Sequence, residues 1–194
     1  MIKERLENLA EILRQIPGIS KKQAMKILFF LIDIPPSQIE NFVNSIYELK
    51  KNTQYCQKCG YLNSNPVCEI CLDFQRSFKI LVVENSEMVT KFEKSGKYDG
   101  QYFVFGNYDV KKLENHSSQI KKIADLAANK SEIILAFSST IDGWVFTNYL
   151  AKHELLSGLK ITRLATGIPF GASIDYIDSI TLDQALENRQ EMEK

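Results

Sequence analysis

Cys56-x-x-Cys59 and Cys68-x-x-Cys71 are the residues of this chain best spaced for chemistry, and they are its only cysteines. Each Cys-x-x-Cys turn can aim two thiolates at one point. Two such turns face to face make a tetrahedral sulfur cage, which suits zinc with Zn–S bonds of about 2.3 Å. Four thiolates leave no open coordination position, so the Zn2+ expected here is structural, one per chain. Gly60, Asn63, Asn65 and Pro66 lie in or between the turns, where tight backbone reversals need them. Two disulfides or a redox pair are the competing use of the thiols. Nothing resembling a signal peptide precedes them, so the expectation is a cytoplasmic chain with reduced thiols, which favours the metal.

A second group is basic. Ile16-Pro17-Gly18-Ile19-Ser20 separates two apolar helical patterns and is followed by Lys21, Lys22 and Lys26. The arrangement resembles a helix-hairpin-helix motif, in which backbone N–H groups of the hairpin and the start of the second helix grip a DNA phosphate without reading bases. Lys22 and Lys26 stand four apart, on one helical face, where both could reach a phosphate backbone. Gly18, Lys21, Lys22 and Lys26 are therefore the candidate DNA-binding residues. A solvated lysine face beside an ordinary turn is the alternative.

A third group is acidic. Glu84 follows the apolar run Ile80–Val83, and Asp142 follows Ile133–Phe137 within Ser138-Ser139-Thr140-Ile141-Asp142-Gly143. Open α/β folds place functional groups at the carboxyl ends of strands, so Glu84 and Asp142 could meet at one crevice. That pair is compatible with a weak Mg2+ site or a partner surface. Phosphoryl-transfer enzymes usually gather more acids. The alternative is a structural Glu84 that caps the next helix. Trp144 reads as core or a partner contact, and His116 and His153, in polar surroundings, as surface residues. No phosphate-loop or dinucleotide fingerprint occurs.

The elements that must position these groups follow from periodicity. Ile2, Leu6, Leu9, Leu13 and Ile16 fall on one helical face, and Pro17-Gly18 breaks the helix. Ser20 with Gln23 predicts a capping box for a second helix, and Ser37 with Glu40, after Pro35-Pro36, one for a third. Beyond residue 78 the pattern changes. Ile80–Val83, Tyr102–Phe105 and Ile133–Phe137 are short apolar runs suited to strands buried on both faces. Helical stretches near 86–95, 117–129 and 143–156 alternate with them, and a fourth strand is expected near 160–165. Strands alternating with helices imply a parallel sheet. A last strand near 173–178 and a short helix near 181–188 complete the reading. This end is acidic, carrying Asp175, Asp178, Asp183, Glu187, Glu191 and Glu193.

Composition narrows the function. The 194 residues are 44% hydrophobic and 25% charged, as in ordinary soluble globular proteins. No apolar run approaches the ~20 residues of a membrane span. Lys plus Arg and Asp plus Glu number 24 each, so a globally basic nucleic-acid binder is not indicated and any DNA contact must come from a local patch.

Taken in order, these parts resemble the bacterial RecR recombination mediator family over essentially the whole chain. The resemblance is carried by Ile16-Pro17-Gly18-Ile19, the four cysteines, Val82-Val83-Glu84, Tyr98-x-Gly100-x-Tyr102, Thr140-Ile141-Asp142-Gly143 and Gly167-x-Pro169-x-Gly171. Tyr176, Asp178, Thr181-Leu182, Ala185-Leu186 and Arg189 extend it to the end. It implies an α+β chain of several parts. These are a helix-hairpin-helix DNA-binding region (1–53), a four-cysteine zinc finger (54–75), a Toprim domain with a Rossmann-like parallel sheet (76–166) and an oligomerisation segment (167–194).

The resemblance further implies a cytoplasmic, nucleoid-associated protein that is not an enzyme. It would form a ring-like homo-oligomer, dimer to tetramer, typically a tetramer assembled from dimers, around single- or double-stranded, gapped DNA, with Lys22 and Lys26 facing the DNA. Its partners would be RecO, and RecF in many bacteria, in loading RecA onto gaps coated with single-strand-binding protein. Glu84 and Asp142 would belong to the Toprim acidic surface. The chain departs from the family at Asp142-Gly143-Trp144, where Glu-Gly-Glu is common, at Asn107-Tyr108-Asp109-Val110, which replaces a Gly-His-x-Ser-Pro loop, and at Ser20, which replaces a second hairpin glycine. A Mg2+-dependent Toprim nuclease or primase is the alternative function, and a zinc adaptor without a DNA role is a third.

Overall fold

Apolar spacing in the N-terminal quarter produces three helices in the computed structural model, which describes residues 2–191: α1 (Ile2–Leu13), α2 (Lys21–Asp33) and α3 (Pro36–Lys51). Glu193 of the acidic tail lies outside the described residues. The chain divides into two compact units, Met1–Thr53 and Gln54–Lys194. In the first, α1 and α2 close over buried Ala10, Ala24 and Leu28, flanked by Leu6, Leu13, Ile19 and Met25. Small residues at the centre let the two backbones approach. The predicted capping box at α2 forms: Ser20 Oγ accepts from the Gln23 N–H at 3.3 Å, and Gln23 Oε1 from the Ser20 N–H at 2.8 Å.

The box predicted at α3 does not form. Pro36 already has the helical φ and lacks the N–H that a cap would satisfy, so the helix starts there with Pro35 as its N-cap and no side-chain cap. Ser37 thus lies inside the helix. None of the α3 side chains is buried, and Phe42, Val43, Ile46 and Tyr47 are exposed.

The second unit opens with an antiparallel hairpin, β1 (Gln54–Tyr55) and β2 (Leu62–Asn63), and the short helix α4 (Glu69–Leu72). Then follow β3 (Lys79–Val83), α5 (Ser86–Ser95), β4 (Gln101–Val104), a 3-10 turn (Leu113–His116) leading into α6 (Ser117–Ala127), β5 (Glu132–Ala136), α7 (Ile141–Ala151) and β6 (Ile161–Arg163). The strands form one parallel sheet in the order β4-β3-β5-β6. Alternation along β3 serves two cores. Ile80 and Val82 pack with Ile120 and Ile123 of α6 and with Phe146 and Leu150 of α7. Leu81 and Val83 pack with Val89 of α5 on the opposite face. Each of these fully buried aliphatic side chains contributes about 1.5–3 kcal/mol.

Beyond the sheet, the strand expected near 173–178 is a 3-10 turn (Ile174–Tyr176). Its Tyr176 and Ile177 N–H groups turn back to the Ser173 and Ile174 carbonyls, which closes the backbone into a turn where an extended strand was expected. The last helix, α8 (Ser179–Glu187), is capped by Asp178, whose side chain accepts from the Thr181 N–H. The helical stretch expected over 143–156 is split. α7 ends at Ala151, and the His153 side chain caps a separate 3-10 turn, Glu154–Leu156.

Candidate functional site

The four cysteines converge. All four are buried, and their sulfurs lie within 4.8 Å of one another. Cys56 Sγ is 3.9 Å from Cys71 Sγ, and Cys59 Sγ is 3.5 Å from Cys68 Sγ. Disulfides, at about 2.05 Å, are ruled out by these separations. They match the ~3.8 Å edge of a tetrahedron with metal–sulfur bonds of about 2.3 Å. The knuckles are built by backbone bonds: Gly60 N–H to Cys56 O at 2.9 Å and Cys71 N–H to Cys68 O at 3.0 Å. The Cys68 N–H donates to Cys56 Sγ at 3.4 Å.

The thiols do not ionise alike. Burial opposes ionisation of Cys56, but N–H groups of Cys68, Cys59 and Lys58 bring it down to about 6. Cys59 is pushed upward by its hydrogen bond with Cys71 and by burial, and Cys68 rises to about 12, chiefly through burial. Four thiolates in this space need a cation among them. The residues fit one structural Zn2+, held by Cys56, Cys59, Cys68 and Cys71.

The finger is joined to the sheet that follows it. The Val104 N–H of edge strand β4 donates to Cys59 O at 2.7 Å, and Leu62 N–H to Ser86 Oγ at 3.0 Å. Tyr61 and Ile70 pack against the core under α5. The finger therefore caps a strand edge that would otherwise expose unpaired N–H groups.

At the carboxyl ends of β3 and β5, where the strand order reverses, a crevice is lined by Glu84, Asn85, Gly106, Asn107, Tyr108, Ser138, Thr140 and Asp142. The structure thus brings Glu84 and Asp142 to one crevice. Glu84 does not cap α5; Asn85 does, accepting from the Met88 N–H at 3.1 Å. Glu84 instead accepts from the Ser138 N–H at 2.8 Å, the Ser138 hydroxyl at 2.6 Å and the Tyr108 hydroxyl at 2.9 Å. Burial pushes its carboxyl up, but these donors outweigh it and hold it below its ordinary value. Asp142 is exposed in the first turn of α7. Gly143 behind it has no room for a side chain, since a Cβ would overlap the Ser138 carbonyl.

Tyr108 and Ser138 are crevice residues that the sequence reading passed over. Tyr108 stacks on Phe146 with centroids 4.5 Å apart. Burial and the Glu84 carboxylate push its phenol up to about 12, so it remains a donor at neutral pH. His116, expected at the surface, is buried against Phe105 and Phe146, and its Nε2 accepts from the Asp109 N–H at 3.0 Å. Trp144 is exposed and not part of the core.

At the helical hairpin, Gly18 has φ of 85°, a left-handed conformation that glycine adopts without strain. Lys21, Lys22 and Lys26 are exposed on α2. The capping box takes the N–H groups of Ser20 and Gln23, leaving those of Gly18, Lys21 and Lys22 without a protein acceptor. Free N–H groups at a helix start form a ready anion site.

Comparison with known proteins covers these same parts. A family model for the RecR zinc-finger domain with four cysteine ligands matches residues 53–73. Models described as "Toprim domain" and "RecR, C-terminal" match residues 79–165 and 167–190. The protein named Recombination protein RecR from Mycoplasmopsis pulmonis (strain UAB CTIP) is 39% identical over 191 residues, covering 98% of this chain and 100% of its own. Proteins of the same name from Lactobacillus johnsonii and Bifidobacterium animalis subsp. lactis are 34% and 33% identical, each alignment covering more than nine-tenths of both chains. With the zinc knuckle, the Toprim sheet and the C-terminal segment in the same order and similarity running nearly end to end, the chain belongs to the RecR family.

Proposed function

We propose that this protein is a non-enzymatic DNA clamp and adaptor in recombinational repair. It acts with RecO, and with RecF where present, to load RecA onto gapped DNA coated with single-strand-binding protein. The observation that carries the reading is the hairpin of the first unit, in which free N–H groups of Gly18, Lys21 and Lys22 adjoin the exposed side chains of Lys21, Lys22 and Lys26. Such a site reads phosphate and no base, as a protein that must act at any gap requires. Zero net charge fits as well: a ring retains DNA by linkage and needs only a local, salt-sensitive attraction, multiplied over its subunits.

Exposed apolar residues support the oligomer. Phe42, Val43, Ile46 and Tyr47 of α3, and separately Phe170, Ile174, Tyr176 and Ile180 of the 167–194 segment, are large apolar side chains left exposed in close sequence, as surfaces that meet a partner are. That segment is proposed as the oligomerisation element, and the crevice rim at Glu84 and Asp142 as part of the partner surface.

The test is the double substitution Lys22→Glu/Lys26→Glu in a salt-titrated DNA-binding measurement. Affinity for gapped DNA falls at least about tenfold and the salt dependence flattens, while zinc content and native mass stay unchanged. Wild-type affinity and slope in the variant would remove the hairpin from the DNA interface.

A further inference from the structure

Acids at the strand ends of a Toprim sheet invite a divalent cation, and the crevice at Glu84 is where one would bind. The donors already aimed at that carboxylate do not fit the invitation. A metal ligand must offer a free lone pair toward the ion, and hard cations such as Mg2+ demand several oxygens in near-octahedral array. Glu84 Oε1 faces two hydrogens, from the Tyr108 hydroxyl and the Ser138 N–H, and Oε2 faces the Ser138 hydroxyl, so three of the carboxylate's four acceptor sites are taken and a cation would find one. Asp142, the crevice's other acid, is exposed on α7. Trp144, exposed two residues on, supplies no oxygen. Among the described residues, the cysteine cluster is the only group of three or more potential ligands that comes together.

We propose that Glu84 is a positioning residue in place of a metal ligand: its carboxylate ties the loop after β4 to the loop after β5 through Tyr108 and Ser138, and the crevice keeps its shape without a divalent cation. Tyr108 is the residue that makes this possible in the present chain. Its ring is fixed by stacking on Phe146 and by an edge contact with Phe137 at 5.4 Å, so the hydroxyl reaches the carboxylate from a rigid base. The loop is pinned a second time where the Asp109 N–H meets His116 Nε2, and Asp109 in turn accepts from the Lys111 and Lys112 N–H groups. Loops that change shape on binding are drawn from weakly held segments. Held at both points, this one offers a preformed surface, so docking there costs little ordering entropy. The inference concerns the partner surface and stands whether or not the hairpin grips DNA.

The experiment uses the intact zinc-loaded protein with Mn2+ as the probe cation, read by its paramagnetic resonance, together with hydrogen exchange of the Asp109, Lys111 and Lys112 amides. Wild type, Glu84→Gln, Tyr108→Phe and Asp142→Asn are compared. The expected result is no stoichiometric Mn2+ binding by wild type up to about 1 mM. Exchange of the loop amides becomes at least about tenfold faster in Glu84→Gln and in Tyr108→Phe, and stays unchanged in Asp142→Asn. One Mn2+ bound per chain and released by Glu84→Gln or Asp142→Asn would overturn the proposal, as would wild-type exchange in Tyr108→Phe. Should Glu84→Gln fail to fold, Tyr108→Phe still decides, because it removes a single hydroxyl and keeps the stacked ring.

Discussion

Glu93 shows how a single side chain holds the Toprim unit together. Its carboxylate accepts from Arg76 Nη1 at 2.9 Å, Arg76 Nη2 at 2.5 Å and the Tyr102 hydroxyl at 2.7 Å, while Arg76 Nη1 also donates to the Gly100 carbonyl at 2.9 Å. The Arg76 guanidinium holds the Glu93 carboxyl below its ordinary value, against the effect of burial. A depressed folded-state pKa means that the contribution is complete above the unfolded value, near 4.3, and is lost as pH falls through the folded one. Glu93→Gln therefore destabilises the zinc-loaded protein by about 2 kcal/mol at pH 7, since it removes the nearer counter-charge of a mostly buried guanidinium and leaves only the exposed Asp73, 3.6 Å away. The difference from wild type shrinks as denaturation is repeated toward about pH 4. A difference independent of pH would show that packing, not charge, is what Glu93 supplies. Arg76 and Glu93 are 17 residues apart across a loop, a strand and a helix, so no periodic pattern could pair them. His116 was readable: it stands four residues before Ile120 and seven before Ile123, on the buried stripe of α6, and only its polar neighbours disguised it. Trp144 was readable too, one position off the buried stripe of Gly143, Phe146 and Leu150.

Among the elements, the zinc finger and strand β4 depend on each other. The finger contributes Tyr61 and Ile70 to the core under α5 and a carbonyl to the edge of β4, and its own core is little more than the four cysteines. So short a segment cannot order itself without the ion. Cys56→Ser/Cys59→Ser therefore releases zinc and unfolds the finger. The loss spreads to the sheet edge: thermal unfolding of the Gln54–Lys194 unit shifts down, and the Val104 amide, now without Cys59 O, exchanges rapidly. A variant with wild-type unfolding and a protected Val104 amide would refute the dependence. β3, β4 and β5 were legible because each holds a short apolar run in a sheet covered on both faces, whereas β6, Ile161–Arg163, was placed by its position after α7. α5 and α8 were legible too, to within two residues of their starts. The failures have local causes. At α3 the ring of Pro36 pre-empts the cap, and at 173–178 two turn bonds fold the backbone into a 3-10 turn. The crevice was half legible: strand ends located Glu84 and Asp142, but Tyr108 comes from an aperiodic loop whose path only the fold defines.

At the scale of the whole molecule, the proposed clamp requires assembly. The apolar residues of α3 and of 167–191 named above are left exposed, and with zero net charge the proposed DNA binding would fall to a few lysines per subunit. A handful of phosphate contacts on one subunit gives weak binding that salt abolishes. Several subunits closed around a duplex or a single strand hold it by topology even after those contacts are screened. This is the central claim, and salt-challenged retention tests it most directly. Zinc-loaded protein is assembled on a gapped circular DNA and on the same DNA cut to a linear form with free ends. Both are then washed at high salt, and the protein remaining on each is measured. The account predicts retention on the circle and loss from the linear DNA. Equal loss from both would contradict it and reduce the protein to an open, purely electrostatic binder.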